Sequence, residues 1–399
     1  MRFLEVILKT VETCNINCSY CYFYVDTEKQ DRQISKNNKK IIRPCTVENL
    51  IKFLKEGIDS LRIDLLKIVF HGGEPLLQNR SDFDAMCARF VNEFSKNLTL
   101  EFGIQTNGIC INSHWLELFS KYKISPGISV DGPEKFNDMY RKDFSGRGTY
   151  QKVVKAIRKV QKFIDLKKVD GVSTITVVNA RCSAKELFYH LAHDLKINAM
   201  SFLLPDYNHD SFMIHNQETG LSIEDYGVFM CELFDAWIEN NDDAVDIVFF
   251  RQIVSLLMGS KQILMADTGP FLEDDELPIL TVYHDGSITP DDTYMTTDKA
   301  INYKKMTIEN STLKEFISSK EIRLLKEVRR NTPEACKTCK WLKICNGGAS
   351  VNRYSKKNGF DNPSVYCEGL KIMYEHISKV LIKNGIPKDI IHEQMHETA

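Results

Sequence analysis

The chain has 399 residues and a formal net charge of -2, with 27% of its residues charged, which is length enough for one large core and a smaller second one. That balance excludes the basic footprint of a nucleic-acid binder or of a protein held on an anionic membrane surface. The opening MRFLEVILKTVETC carries Glu5, Lys9 and Glu12 inside its apolar run, which spoils a signal-peptide core and a membrane span alike, so a cytoplasmic protein is expected.

From residue 3 to about 204, short β-prone runs alternate with longer amphipathic stretches, the signature of βα units around a parallel sheet. Strands are predicted at 3–9, 67–71, 98–106, 124–131, 172–178 and 200–204. Between them, Thr46 is predicted to open a helix over VENLIKFLKEGI, Ser81 over DFDAMCARFVNEF, Ser113 over HWLELFSKY and Ser183 over AKELFYHLAHDL, while Tyr150 leads QKVVKAIRKVQKF. CNINCSYC follows the first strand and HGGEP the second, where α/β barrels place their chemistry. Beyond 204, PDYNHDSFMIHNQETG reads as a long polar loop of functional weight, with His209 and Asp210 toward a substrate or toward solvent. Helices are expected at 223–238 and 250–265, a β-hairpin turning at Asp285-Gly286 within LTVYHDGSITPDD, and a closing helix at 368–383.

Seven of the twelve cysteines fall in two tight clusters, a pattern that in a reducing compartment points to metal. Cys45, Cys87, Cys110, Cys182 and Cys231 are scattered singly and read as small buried hydrophobes. Cys14, Cys18 and Cys21 form C-x3-C-x2-C. Three thiolates fall one short of the four ligands of structural zinc or of a fully capped iron-sulfur cluster, so a cluster held here keeps one iron open. Cys336, Cys339 and Cys345 form C-x2-C-x5-C, with Cys367 further on; four thiolates at that spacing suit zinc and iron-sulfur alike.

With Tyr20 just before its third cysteine, CNINCSYC resembles the cluster loop of the radical S-adenosylmethionine (SAM) enzymes, and further matches follow in order: HGGEP, IQTNG at 104–108, and ISVDGP at 128–133 with Arg141 beyond it. The resemblance implies an α/β fold, a partial (β/α)6 barrel, with a 4Fe-4S cluster on Cys14, Cys18 and Cys21. It also implies SAM held by Gly72, Gly73, Glu74, Gln105, Asn107, Ser129 and Arg141, and an external electron donor such as flavodoxin or ferredoxin. In that family an electron from the cluster cleaves SAM to methionine and a 5'-deoxyadenosyl radical. His71 stands where a glutamine often precedes GGE.

CKTCKWLKICNGGA resembles the SPASM extension of peptide-modifying radical SAM enzymes, in which cysteines at the positions of Cys336, Cys339, Cys345 and Cys367 bind a second auxiliary 4Fe-4S cluster. Ala349 stands where the full pattern has a cysteine after C-x-G-G, Gly286 leads to Asp291 instead of a cysteine, and no cysteine lies between Cys231 and Cys336. The expectation is therefore a reduced SPASM-like domain and two 4Fe-4S clusters, on a division into 1–221, 222–278 and 279–399. Asp292 occupies the position where sulfatase-maturing enzymes carry a catalytic aspartate proposed as proton acceptor; a turn aspartate is the alternative. GGASVNRYSKKNGFDNPSVYC and DGPEKFNDMYRKDFSGRGTY look like the branch that installs cyclophane crosslinks, the Xye, Grr and Fxs type systems.

That branch implies a ribosomally made precursor peptide as partner and a carbon-carbon bond between an aromatic ring and the β-carbon of a residue two positions later. No leader-binding domain is expected before the first strand, and β-augmentation would hold an extended peptide. Sulfatase-type oxidation of serine or cysteine, a thioether crosslink and a small-molecule radical reaction stay open beside it. Iron and sulfide analysis of anaerobically reconstituted protein should give about eight irons per chain, and about twelve would contradict the two-cluster count.

Overall fold

The computed structural model describes residues 2–24, 29–33, 40–260, 277–297, 301 and 306–395. Among them, in chain order, are strands β1 (Phe3–Val11), β2 (Leu65–Gly72), β3 (Thr99–Thr106), β4 (Ser125–Ser129), β5 (Ser173–Val177), β6 (Ala199–Leu203), β7 (Asp246–Ile247), β8 (Leu280–Val282), β9 (Ser287–Thr289) and β10 (Met306–Thr307). The chain forms two compact units, and no helix among the described residues is long and apolar enough to cross a membrane.

The first unit holds the described residues of Met1–Ile175, Asp275–Met295 and Lys299–Arg323. Its sheet runs β1 to β5 in sequence order with every neighbouring pair parallel. On the other side of β1 lies β8, also parallel, then β9 and β10 antiparallel. Leu4, Val6 and Leu8 of β1, with Leu66, Ile68 and Phe70 of β2, are almost wholly buried on one face, the period-2 pattern that fixes strand register. Helices pack over the sheet, among them Tyr150–Asp165, which buries Val153, Ala156, Ile157 and Val160 at helical spacing.

Three predicted caps move. The helix Pro44–Leu61 starts two residues before Thr46, because Pro44 takes the first helical position, where a missing N–H costs nothing. Asn79 caps Arg80–Phe94 by accepting from the Ser81 amide, and Asn112 caps Ser113–Tyr122 by accepting from His114 and Trp115; an asparagine one or two positions upstream displaces the serine. The hairpin at Asp285-Gly286 forms as expected, with Gly286 at φ +86. Its strands β8 and β9 extend the sheet of the first unit.

The second unit holds the described residues of Thr176–Asp274, Thr296–Asp298 and Leu324–Ala399. There β6 and β7 pair in parallel, and Ser183 caps Ala184–Tyr189 as predicted, by accepting from the Glu186 amide. The polar stretch after residue 204 is a helix, His209–Thr219, instead of a loop. A capping box between Asn208 and Ser211 starts it and Gly220 at φ +69 ends it. The helix predicted at 250–265 is Val248–Leu257, with 261–265 outside the described residues. Helices Ile223–Asn240 and Cys367–Lys383 meet at Gly227 and Gly369, where a Cβ on either residue would lie about 2.5 to 2.6 Å from the other helix.

Candidate active site and cluster sites

Cys14, Cys18 and Cys21 lie on the loop that leaves β1, packed among Ile16, Phe23, Tyr24 and Tyr283. The Cys14 amide donates to Arg32 O (2.8 Å), Cys21 N to Cys18 O (3.3 Å) and Tyr24 N to Cys21 O (3.1 Å), so the loop's backbone fixes the thiols. Burial raises all three thiols above the usual cysteine range, Cys18 to about 12 even beside the Arg141 guanidinium. Such thiols ionise only if a bound metal supplies the compensating charge.

The GGE turn is docked on the end of β1. Gly73 N donates to Val11 O (2.7 Å) and Glu74 N to Thr13 O (2.9 Å), and a Cβ on Gly72 or Gly73 would drive into those same carbonyls. Glu74 is fully buried. Its carboxylate accepts from Leu76 N (3.0 Å), Thr106 Oγ1 (2.6 Å) and Asn107 N (2.8 Å), tying the end of β2 to the end of β3. This side chain is therefore a strut within the protein, engaged by three internal donors; burial raises its pKa above the ordinary value although those donors oppose the rise. Asn107 reaches from the same turn toward Cys14 Sγ (3.7 Å) and Asn15 Oδ1 (2.7 Å).

Gln105 and Ser129, on neighbouring strands, are joined by a bond from Nε2 to Oγ of 2.9 Å. Arg141 is 5% exposed and donates to Tyr20 Oη (2.8 Å), which donates in turn to Asp131 Oδ2 (2.5 Å). The Arg141 Nε is buried with no hydrogen-bond partner in the protein, an orphan donor suited to the carboxylate of a bound ligand. All the residues named for SAM and the first cluster thus come together in the first unit, along the C-terminal ends of β1 to β4.

Asp292 follows β9 and is 2% exposed. Lys9, fully buried on β1, forms an ion pair with its Oδ2, and Tyr22 Oη donates to the same oxygen (2.7 Å). Lys9 Nζ also lies 3.1 Å from His71 Nδ1, which accepts from the Gly72 amide as well (2.8 Å). Neither Lys9 nor Tyr22 stood out in the sequence, although a lone lysine in the apolar run FLEVILKTV was a signal. Glu12 and His284 form a clasp through Oε1 and Nδ1 (2.5 Å) that ties the hairpin to the end of β1.

In the second unit Cys336, Cys339, Cys345 and Cys367 line one cavity with Trp341 and Tyr374. Gly347 and Gly348 adopt φ +85 and +79, and a Cβ on Gly348 would overlap Ser364, so the two glycines let the segment before Cys367 close on the other thiols. Trp341 is 1% exposed and forms part of the cavity wall. Ala349 precedes the short helix Ser350–Arg353 without making a capping bond, and Asp291 accepts from Thr293 N (3.0 Å) and Oγ1 (2.9 Å). His209 and Asp210 bond to Pro363 O and to the Lys356 amide, which occupies both as internal ties.

The thiols fit clusters better than single ions. Tetrahedral zinc with Zn–S near 2.3 Å holds its sulfurs about 3.8 Å apart. Among the described residues the one group of three or more His, Cys, Asp or Glu ligand atoms within 4.8 Å of one another is Glu12, His284 and Asp285. Neither cysteine set forms such a group, and a 4Fe-4S core is the larger inorganic group that three or four thiolates hold.

Residues 8–179 match the family model described as the Radical SAM superfamily, so that stretch is a radical SAM domain. The chain is homologous to anaerobic sulfatase-maturating enzymes. It is 27% identical to the cysteine-type anaerobic sulfatase-maturating enzyme of Clostridium perfringens over 95% of this chain and 97% of that one. To the serine-type enzyme of Bacteroides thetaiotaomicron it is 25% identical over 98% and 93%. The solved structure of native anSMEcpe with bound AdoMet superposes with TM-score 0.76 at 25% identity, over 96% of this chain and 100% of that one.

Glu74→Ala should leave two amides and a hydroxyl buried without their acceptor. We expect a loss of about 3 kcal/mol in denaturant unfolding and poorer iron loading of the first site; unchanged stability and iron would contradict the strut role.

Proposed function

We propose that this chain is a radical SAM maturase of a ribosomally made precursor peptide, forming a cyclophane crosslink between an aromatic ring and the β-carbon of a residue two positions later. The observation that carries this reading over standard sulfatase-type chemistry is the pair Asp291 and Ala349, two non-ligating residues at positions where a full SPASM pattern has cysteines. Asp291 holds a turn instead, and Ala349 immediately precedes a short helix without a capping bond. The solved anSMEcpe structure with bound AdoMet and a peptide (TM-score 0.75) supports the fold as one able to present such a site.

SAM and two 4Fe-4S clusters, when bound, supply a 5'-deoxyadenosyl radical and a one-electron acceptor. Cys14, Cys18 and Cys21 hold the first cluster, and Cys336, Cys339, Cys345 and Cys367 the auxiliary one. Gly72 and Gly73 present their backbone to the ligand from a turn docked on the end of β1, while Gln105, Asn107, Ser129 and Arg141 orient it. Asp292 takes the proton that the ring sheds when aromaticity returns. A flavodoxin or ferredoxin serves as electron donor. The functional division is 1–221, 222–278 and 279–399.

A second reading, sulfatase-type oxidation of a serine or cysteine, is favoured by the near full-length similarity to maturases of both types. Co-expression with the short open reading frame encoded nearby, followed by tandem mass spectrometry, decides between them. A loss of two hydrogens confined to one aromatic-x-x motif, with fragmentation suppressed inside it, is the expected result. Conversion of a serine or cysteine to an aldehyde would support the second reading, and an unmodified precursor from cluster-loaded protein would contradict the crosslink for that peptide.

A further inference from the structure

Lys9 is the most deeply buried cation that the expected chemistry leaves without a task. At 0% exposure its ammonium meets Asp292 Oδ2, His71 Nδ1 at 3.1 Å and the Phe23 ring, whose centroid lies 4.7 Å away. Taking an ammonium out of water costs several kcal/mol unless it is well paired, and a fold needing only an apolar plug here would be served by methionine. The ligands of this cation are therefore informative. His71 Nδ1 accepts from Gly72 N and faces Lys9, so Nδ1 carries no proton and the ring is neutral. Burial first, and Lys9 second, lower the His71 pKa to about 4. That leaves one cation and one anion in the cluster, Lys9 and Asp292.

We propose that Lys9 is a positioning residue that holds Asp292 as a carboxylate and occupies its Oδ2, so that Oδ1 is the atom that receives the substrate's proton. The inference rests on Asp292 being the base of the peptide reaction. Tyr22 Oη acts on Oδ2 as well, so both donors lock one oxygen and fix the rotation of the carboxyl plane. The other groups facing Asp292 are the neutral His71 and Tyr283, whose phenol burial keeps well above its ordinary range. Burial alone would raise the Asp292 pKa; the Lys9 ammonium first, then the neighbouring His71 ring and the hydrogen bonds from Lys9 and Tyr22, outweigh it and hold the group below its usual value. The step is a proton transfer. The bond from hydrogen to the cationic intermediate breaks, its electron pair stays with the substrate, and an O–H bond forms at Oδ1. A weak base suffices because such an intermediate is strongly acidic, and the adjacent Lys9 then makes the new O–H short-lived.

The test compares reconstituted full-length wild type, Lys9→Met, Lys9→Arg and Asp292→Asn, with the nearby-encoded precursor as substrate. In K9M the Asp292 pKa rises, so the carboxylate is lost from a higher pH downward. The acid limb of product formation should move up by roughly one to three pH units, with more 5'-deoxyadenosine formed per modified peptide; K9R should restore both. A second readout needs no substrate: infrared difference spectra at neutral pH between each Lys9 variant and the same variant carrying D292N. A protonated-carboxyl band in K9M, absent from wild type, is the expected result. If K9M does not fold, Lys9→Gln takes its place. An unshifted acid limb or a K9M variant without that band would overturn the role of Lys9. Failure of every form to modify the peptide would count against the peptide reading, while the infrared comparison still decides the charge state of Asp292.

Discussion

Burial of charge at the C-terminal edge of the parallel sheet is the constraint on which the first unit depends. Glu74, Arg141, Lys9 and Asp292 are each at most 5% exposed, and Cys14 and Cys18 are nearly as enclosed. A polar group in such a place must find its partner inside the protein or in a ligand. Glu74 finds three donors, Lys9 finds Asp292, and Arg141 is satisfied only in part, through Tyr20. The groups that remain incompletely served, the three thiols and the Arg141 Nε, are the ones that the SAM and cluster chemistry would complete. Stability and ligand recognition thus draw on the same burial.

The order of strands was legible because βα repetition and short motifs sit at strand ends, and the cysteine sets were legible because spacing is written directly in the chain. What hid was decided by partners distant in sequence. Lys9 and Asp292 lie on opposite sides of the chain's length yet pair through the parallel contact of β1 with β8 and the hairpin that follows. Glu74 could be placed at the turn, with Leu76 N as a local donor, but its other two donors, Thr106 and Asn107 at the end of β3, are brought to it only by folding. The helix His209–Thr219 was missed for a local reason: its hydrophobic periodicity is weak and its start depends on the reciprocal Asn208 and Ser211 bonds.

The second unit shows how a binding pattern can be trimmed without losing the fold. Gly347 and Gly348 still permit the close approach that gathers Cys336, Cys339, Cys345 and Cys367, while Ala349 opens the helix that presents Arg353. That guanidinium, 3% exposed, donates to the carbonyls of Val328, Asn331 and Phe360. A set of backbone contacts therefore anchors the segment beside Ala349. On the proposed reading, this narrows how the reaction ends: one auxiliary site takes the electron, and a held carboxylate takes the proton.

The claim at the centre of the account is that the chain carries a three-thiolate cluster with an open iron and, separately, a closed auxiliary cluster. Electron paramagnetic resonance of the reduced protein, recorded with and without SAM, tests it most directly when wild type is compared with a variant carrying Ala at 14, 18 and 21. The wild-type signal should change on adding SAM, while the variant keeps about four irons and a signal that SAM leaves untouched. A wild-type spectrum indifferent to SAM, or a folded variant without iron, would contradict it.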